Sequence, residues 1–136
     1  MRKNITSISK YIFLVFVGIL LLILCSTIQH TAVRPPGEYY YSAFFRNNYT
    51  VPGALLFLMA GLLTGYFFKL NPWLSGLSLI LIFPLVSFYE AIIYRGSHNL
   101  IPFELIIYFL FSLPGVLGVY LGKFISDRVA ASTRLK

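Results

Sequence analysis

The chain has 136 residues, of which 58% are apolar and only 11% charged, with a formal net charge of +7. Soluble domains carry about 25% charged residues, so this composition leaves too few charges to cover a water-exposed surface and excludes an ordinary globular domain. The basic excess does not signal nucleic acid either, because the lysines and arginines sit scattered at the ends of apolar runs and form no stripe interleaved with aromatics.

The class that remains is an all-α, polytopic membrane protein. Several apolar runs reach the roughly 20 residues that a bilayer core demands. None alternates in polarity as the ~10-residue strands of a transmembrane barrel do.

Residues 1–10 are polar, with Arg2, Lys3 and Lys10, and the first apolar run covers about 11–28. It exceeds the 7–15 residues of a typical signal-peptide core, about which a cleavage site of small residues would also be needed. The expectation is an uncleaved signal anchor. Cys25 is the single cysteine, so the sequence holds no disulfide framework. It reads as a small apolar residue of the span. Leu24 stands where a lipoprotein signal needs a small side chain, which argues against lipidation. With one glycine, Gly18, among Leu, Ile, Val and Phe, this helix is expected at the periphery, facing lipid.

Residues 29–50 form the longest connection. Pro35-Pro36-Gly37 forbids a continuing helix, and the aromatic EYYYSAFF after it suits the headgroup layer as a short helix or loop. Asn48-Tyr49-Thr50 matches a glycosylation sequon. The second run covers about 51–70, with Pro52 placed for a first turn. A tight turn at Asn71-Pro72-Trp73 follows, with Trp73 as an interfacial anchor. The third run covers about 74–94, with Pro84 near its middle. The fourth covers about 102–125, with Pro114 at mid-span. Both prolines are expected to kink their helices. The tail from Ser126 reads as a frayed helical end.

The expected architecture is a single domain, a bundle of four transmembrane helices with an outer interfacial loop at 29–50. Eight basic residues (Arg2, Lys3, Lys10, Lys69, Lys123, Arg128, Arg134, Lys136) fall on one side and three (Arg34, Arg46, Arg95) on the other. Positive residues mark the cytoplasmic side, so both termini are expected there.

Small residues bring transmembrane helices together. Gly61-x-x-x-Gly65 in the second run and Gly115, Gly118 and Gly122 in the fourth lie at helical spacing. These two helices are the expected central contact, within one chain or between subunits.

The polar residues concentrate in YEAIIYRGSHNLIPFE, residues 89–104, which holds two of the four acidic side chains. Glu90 would lie about 6 Å below the outer end of its helix, four residues at 1.5 Å each. Ionisable groups at such depth face protein. Ser87, Ala91 and Tyr94 share its face. Glu104 sits in a first helical turn, where the macrodipole favours an anion. Tyr108, Ser112 and Gly115 continue from it as a polar-to-small stripe. Arg95, His98 and Asn99 lie in the turn between, and His30, Arg34, Glu38 and Arg46 arrive from the first loop.

This candidate polar cluster of Glu90, Arg95, His98, Asn99, Glu104 and Tyr108 supports three readings. As structure, Glu104 supports its helix start and Glu90 pairs with Arg95 or Arg46, fixing geometry more than adding stability. As a binding or transport site, it takes a polar ligand, a lipid headgroup, an ion or a proton. As a catalytic site, Glu90, Glu104 and His98 make a two-carboxylate, one-histidine set. No H-E-x-x-H spacing, Walker loop or nucleophile elbow accompanies it, so no metal, cofactor or catalytic residue is assigned. The expected function is that of a small cell-membrane protein, non-enzymatic, which binds, scaffolds or assists another membrane component. Its expected partners are the lipid bilayer and a homo-oligomer or larger membrane complex. A proton- or ion-coupled transporter working as an oligomer is the first alternative, and an enzyme on a lipid-linked substrate at the outer face the second.

Overall fold

The computed structural model describes residues 2–29, 40–94 and 101–133, and these are helical throughout apart from short connections. Six helices follow in order: α1 (Arg2–Ile28), α2 (Tyr41–Asn48), α3 (Val51–Phe68), α4 (Pro72–Ile80), α5 (Ile82–Ile93) and α6 (Ile101–Thr133). Ser7–Ile28 of α1, all of α3 and α6 are long and apolar enough to cross a membrane. The α4–α5 pair makes a fourth span if it counts as one, bent by 47°.

The bend expected at Pro84 in the run over 74–94 is present, and it interrupts the helix. The chain breaks at Leu81, three residues before Pro84, because a proline acts on the turn preceding it. Pro84 has no N–H for the Ile80 carbonyl, and its ring crowds that carbonyl. α4 therefore ends at Ile80, with Leu81 donating to the Ser78 carbonyl in a tighter turn (3.3 Å), and Pro84 falls in the first turn of α5. Pro114 has no such consequence, since α6 is a helix on both sides of it. Bonds from side chains surround that weakened turn. The Tyr49 hydroxyl donates to the Phe111 carbonyl (2.7 Å) and Ser112 Oγ to the Phe109 carbonyl (2.6 Å), the kind of compensation that lets proline sit inside a membrane helix. Helix extends past the apolar runs at two ends: α6 runs on to Thr133 through the tail read as a helical end, and α1 starts at Arg2.

α3 and α6 run side by side in the same direction, backbone against backbone. A β-carbon on Gly61 would collide with the Gly115 carbonyl, and one on Gly65 with that of Val119. From the other side, β-carbons on Gly118 and Gly122 would strike the carbonyls of Leu58 and Leu62. The glycines are thus used within the chain, and they bring the helices closer than any other residue would allow. Past this seam the chain turns at Lys69, which takes a left-handed conformation (φ 50°) as the C-cap of α3. The Asn71 side chain then accepts from the Leu74 N–H (3.2 Å) and caps α4, with Pro72 in its first turn. Trp73 is half exposed and stacks on Phe109, with ring planes 6° from parallel.

α1 runs antiparallel to α3, with Lys10 over the Phe68 ring at one end and Cys25 beside Gly53 at the other. The expectation of a peripheral helix is correct for one face only. Phe16, Leu20 and Ile23 are exposed, but Leu14, Leu22 and Cys25 are buried and Gly18 lies against the Leu79 backbone. The single glycine is the point at which α1 meets α4.

The two ends of the bundle are unlike. One carries Lys69, whose ammonium lies 2.9 Å from Asp127, both side chains well exposed. The other, the α2 end, is filled by aromatic rings. Tyr49 stacks on Phe111 (4.1 Å between centroids, 15° between planes), and Phe83 packs edge-on to Tyr49, Phe45 and Phe111.

Candidate functional site

α2 is a short helix whose start lacks a capping side chain of its own. Tyr40 occupies the N-cap and makes no side-chain cap bond, so the first N–H groups of the helix need an acceptor from elsewhere. Glu90 supplies it. It sits one turn before the end of α5 and is 1% exposed. Its Oε1 accepts the Tyr41 N–H; its Oε2 accepts the Ser42 N–H at 3.3 Å and the Ser42 hydroxyl at 2.6 Å. A carboxylate on the positive end of a helix, held by charge-assisted bonds, is the favourable arrangement of both groups. Glu90 is thus the cap of a helix nearly fifty residues away.

The remaining acidic and polar groups divide by partner. Arg46, considered as a partner for Glu90, has its guanidinium 3.9 Å from Glu104, with the glutamate side chain mostly buried and the arginine more open. The Ser87 and Tyr108 hydroxyls share a hydrogen bond of 2.6 Å in a buried position. Tyr108, Ser112 and Gly115 all lie on the buried face of α6. Tyr94 is half exposed and meets Tyr40 edge-on at 5.7 Å. Arg95, His98 and Asn99, like His30, Arg34 and Glu38, lie outside the described residues. Among the described residues no three His, Cys, Asp or Glu side chains gather as a metal would require.

The asparagine of the sequon is buried. Asn48 is 3% exposed; its Nδ2 donates to the Phe44 carbonyl (2.8 Å), and its own carbonyl accepts from Gln29 Nε2 (3.1 Å). A side-chain amide used in this way is not available to a glycosylating enzyme in the folded chain. Tyr49, between α2 and α3, has a structural part instead. Burial holds its hydroxyl above the ordinary tyrosine range, with Cys25 adding in the same direction, so it stays protonated and donates to Phe111.

Sequence reasoning does not single out Ser42 or Tyr49. The signal for Ser42 is an absence, since YYYSAFF offers no capping residue before its first helical turn. Tyr49 is hidden inside the sequon. Chemically, the described part of the cluster joins α2 to α5 and α6. The Glu90 carboxylate already accepts from three donor groups, which suits an anchoring role better than that of a base.

No protein-family model, curated protein or solved structure matches this chain.

Proposed function

We propose that this chain is a small multi-pass protein of the cell membrane, with both termini cytoplasmic, which works by holding another membrane component and not by converting a substrate. The two termini follow from the eight-to-three distribution of basic residues, which puts the α2 end outside. The observation that carries the reading is the use made of Glu90. The most deeply buried acid of the described chain is engaged in fastening α2, and with it an exposed aromatic surface that includes Tyr41, Tyr89 and Tyr94. Tyrosine-rich surfaces at a membrane boundary suit association, because the ring is apolar and the hydroxyl tolerates water. The partner we infer is an integral membrane protein that meets this end.

The test is purification of the full chain in mild detergent, with identification of what accompanies it. A membrane protein retained in fixed stoichiometry, and lost on Tyr89→Ala and Tyr94→Ala, is the expected result. Reconstituted protein that instead drives proton-coupled uptake into vesicles, abolished by Glu90→Gln while the fold survives, overturns the reading in favour of transport.

A further inference from the structure

Between α1 and α3, on the side away from α6, runs a groove of about 390 Å³. Phe13, Val17 and Leu21 line one wall; Leu56, Ala60 and Leu63 line the other. Thr64 is the polar residue of the lining, and its hydroxyl is spent on the Ala60 carbonyl at 2.8 Å. A groove this apolar at the depth of a bilayer core takes up hydrocarbon, since no water is there to fill it. From Phe13 to Leu21 is eight residues, about 12 Å of wall at 1.5 Å each.

Among the described residues the groove has a charged foot at its Phe68 end. Phe68 closes it, and the Lys10 ammonium lies over that ring, 5.4 Å from its centroid. Lys10 falls in register with the apolar wall, since positions 10, 14, 17 and 21 recur at steps of four and three along one helix face. Among the described residues Lys10 has no acidic partner, whereas neighbouring Lys69 is paired with Asp127. A cation below an apolar slot of hydrocarbon depth is complementary to one class of molecule, a lipid with an anionic headgroup and its acyl chain alongside. We propose that the α1–α3 groove is a binding site for an anionic phospholipid in the leaflet at the Lys10 end, with one acyl chain between the helices and the phosphate on Lys10. The site lies apart from the α2 end, and it stands or falls independently of any protein partner there.

The experiment is native mass spectrometry of the full chain in detergent, titrated with phosphatidylglycerol or phosphatidylcholine of identical acyl chains. Wild type retains one phosphatidylglycerol about fivefold more strongly than phosphatidylcholine, the ratio that one lysine near a membrane anion supplies. Lys10→Gln, a change at the groove foot that leaves the helix packing intact, abolishes the preference while some binding of both lipids remains. Ala60→Phe fills the groove and removes both; its thermal unfolding, read alongside, separates a filled groove from a lost fold. Equal retention of the two lipids by wild type overturns the proposal. So does an unchanged preference in Lys10→Gln, and so does a lipid-free dimer that shows the groove covered by a second copy.

Discussion

α6 is packed in two different ways along its length. From Gly115 to Gly122 its glycines bring its backbone directly against the backbone of α3. From Glu104 to Phe111 it no longer touches a single parallel neighbour; Tyr49 reaches it from the α2–α3 connection, and Phe83 and Ser87 from α5, through rings and hydroxyls. The glycine seam is a contact of shape, which tolerates no added atom. The α2 end is a contact of partners, in which Glu90, Ser87, Tyr108 and Tyr49 each answer a particular donor or acceptor. Two failure modes follow, steric in one region and electrostatic in the other. In lipid both matter, since helices gain nothing by hiding apolar surface from a solvent that is itself apolar.

Bulk placed in the seam tests this difference most severely. Gly118→Leu is expected to cost about 3 kcal/mol or more, at the upper end of overpacking effects, because the atom it meets is the Leu58 carbonyl and not a side chain that can turn away. Unfolding of the micelle-bound chain by SDS measures it, and a tolerated leucine would show that the seam is not the central contact. At the other end, Glu90→Ala leaves the Tyr41 and Ser42 N–H groups and the Ser42 hydroxyl without their acceptor. The expected loss is about 2–3 kcal/mol. Hydrogen exchange tells the two regions apart, because the amides at the start of α2 should quicken while those of the α3–α6 seam hold.

A smaller effect is expected at Tyr49. Tyr49→Phe keeps the stack on Phe111 and removes one hydrogen bond, a loss of about 1 kcal/mol. It also changes the response to alkali. Because burial raises the hydroxyl of the folded chain above its unfolded value, that stabilisation is complete below the unfolded value of about 10 and declines as pH rises past it. Thermal melts between pH 9 and 11 should show a decline in wild type that is shallower in the phenylalanine variant. The smallest effect belongs to the exposed Lys69–Asp127 pair. Asp127→Asn is expected to shift stability by no more than about 1 kcal/mol, and salt should erase the difference.

Part of the site is legible in the residues themselves. Glu90 among apolar residues near a helix end marks a buried acid, and the Tyr108, Ser112, Gly115 stripe marks the face of α6 that meets protein. What covers Glu90 is not legible. Arg95 and Arg46 are opposite charges expected at the same end of the bundle as Glu90, and charge suggests salt bridges. Among the described residues the donors are the Tyr41 and Ser42 N–H groups and the Ser42 hydroxyl, and no residue letter advertises a backbone N–H. Proline is half legible in the same sense. Its letter marks a weakened turn, but whether the helix breaks, as before Pro84, or continues, as through Pro114, depends on which groups nearby can take over the freed bonding.

The residues alone determined that this chain is helical with runs long and apolar enough to cross a membrane, where those runs fall, and which faces hold its small and polar groups. These are matters of composition and of a repeat of about 3.6 residues, and neither needs a neighbour. Only the tertiary structure decided that α1 is held through Gly18, that the third run divides into α4 and α5, and that a carboxylate from α5 begins α2. Each of those depends on two segments distant in sequence meeting at hydrogen-bond or van der Waals range. The energy of such a meeting belongs to the pair and is written in neither segment by itself.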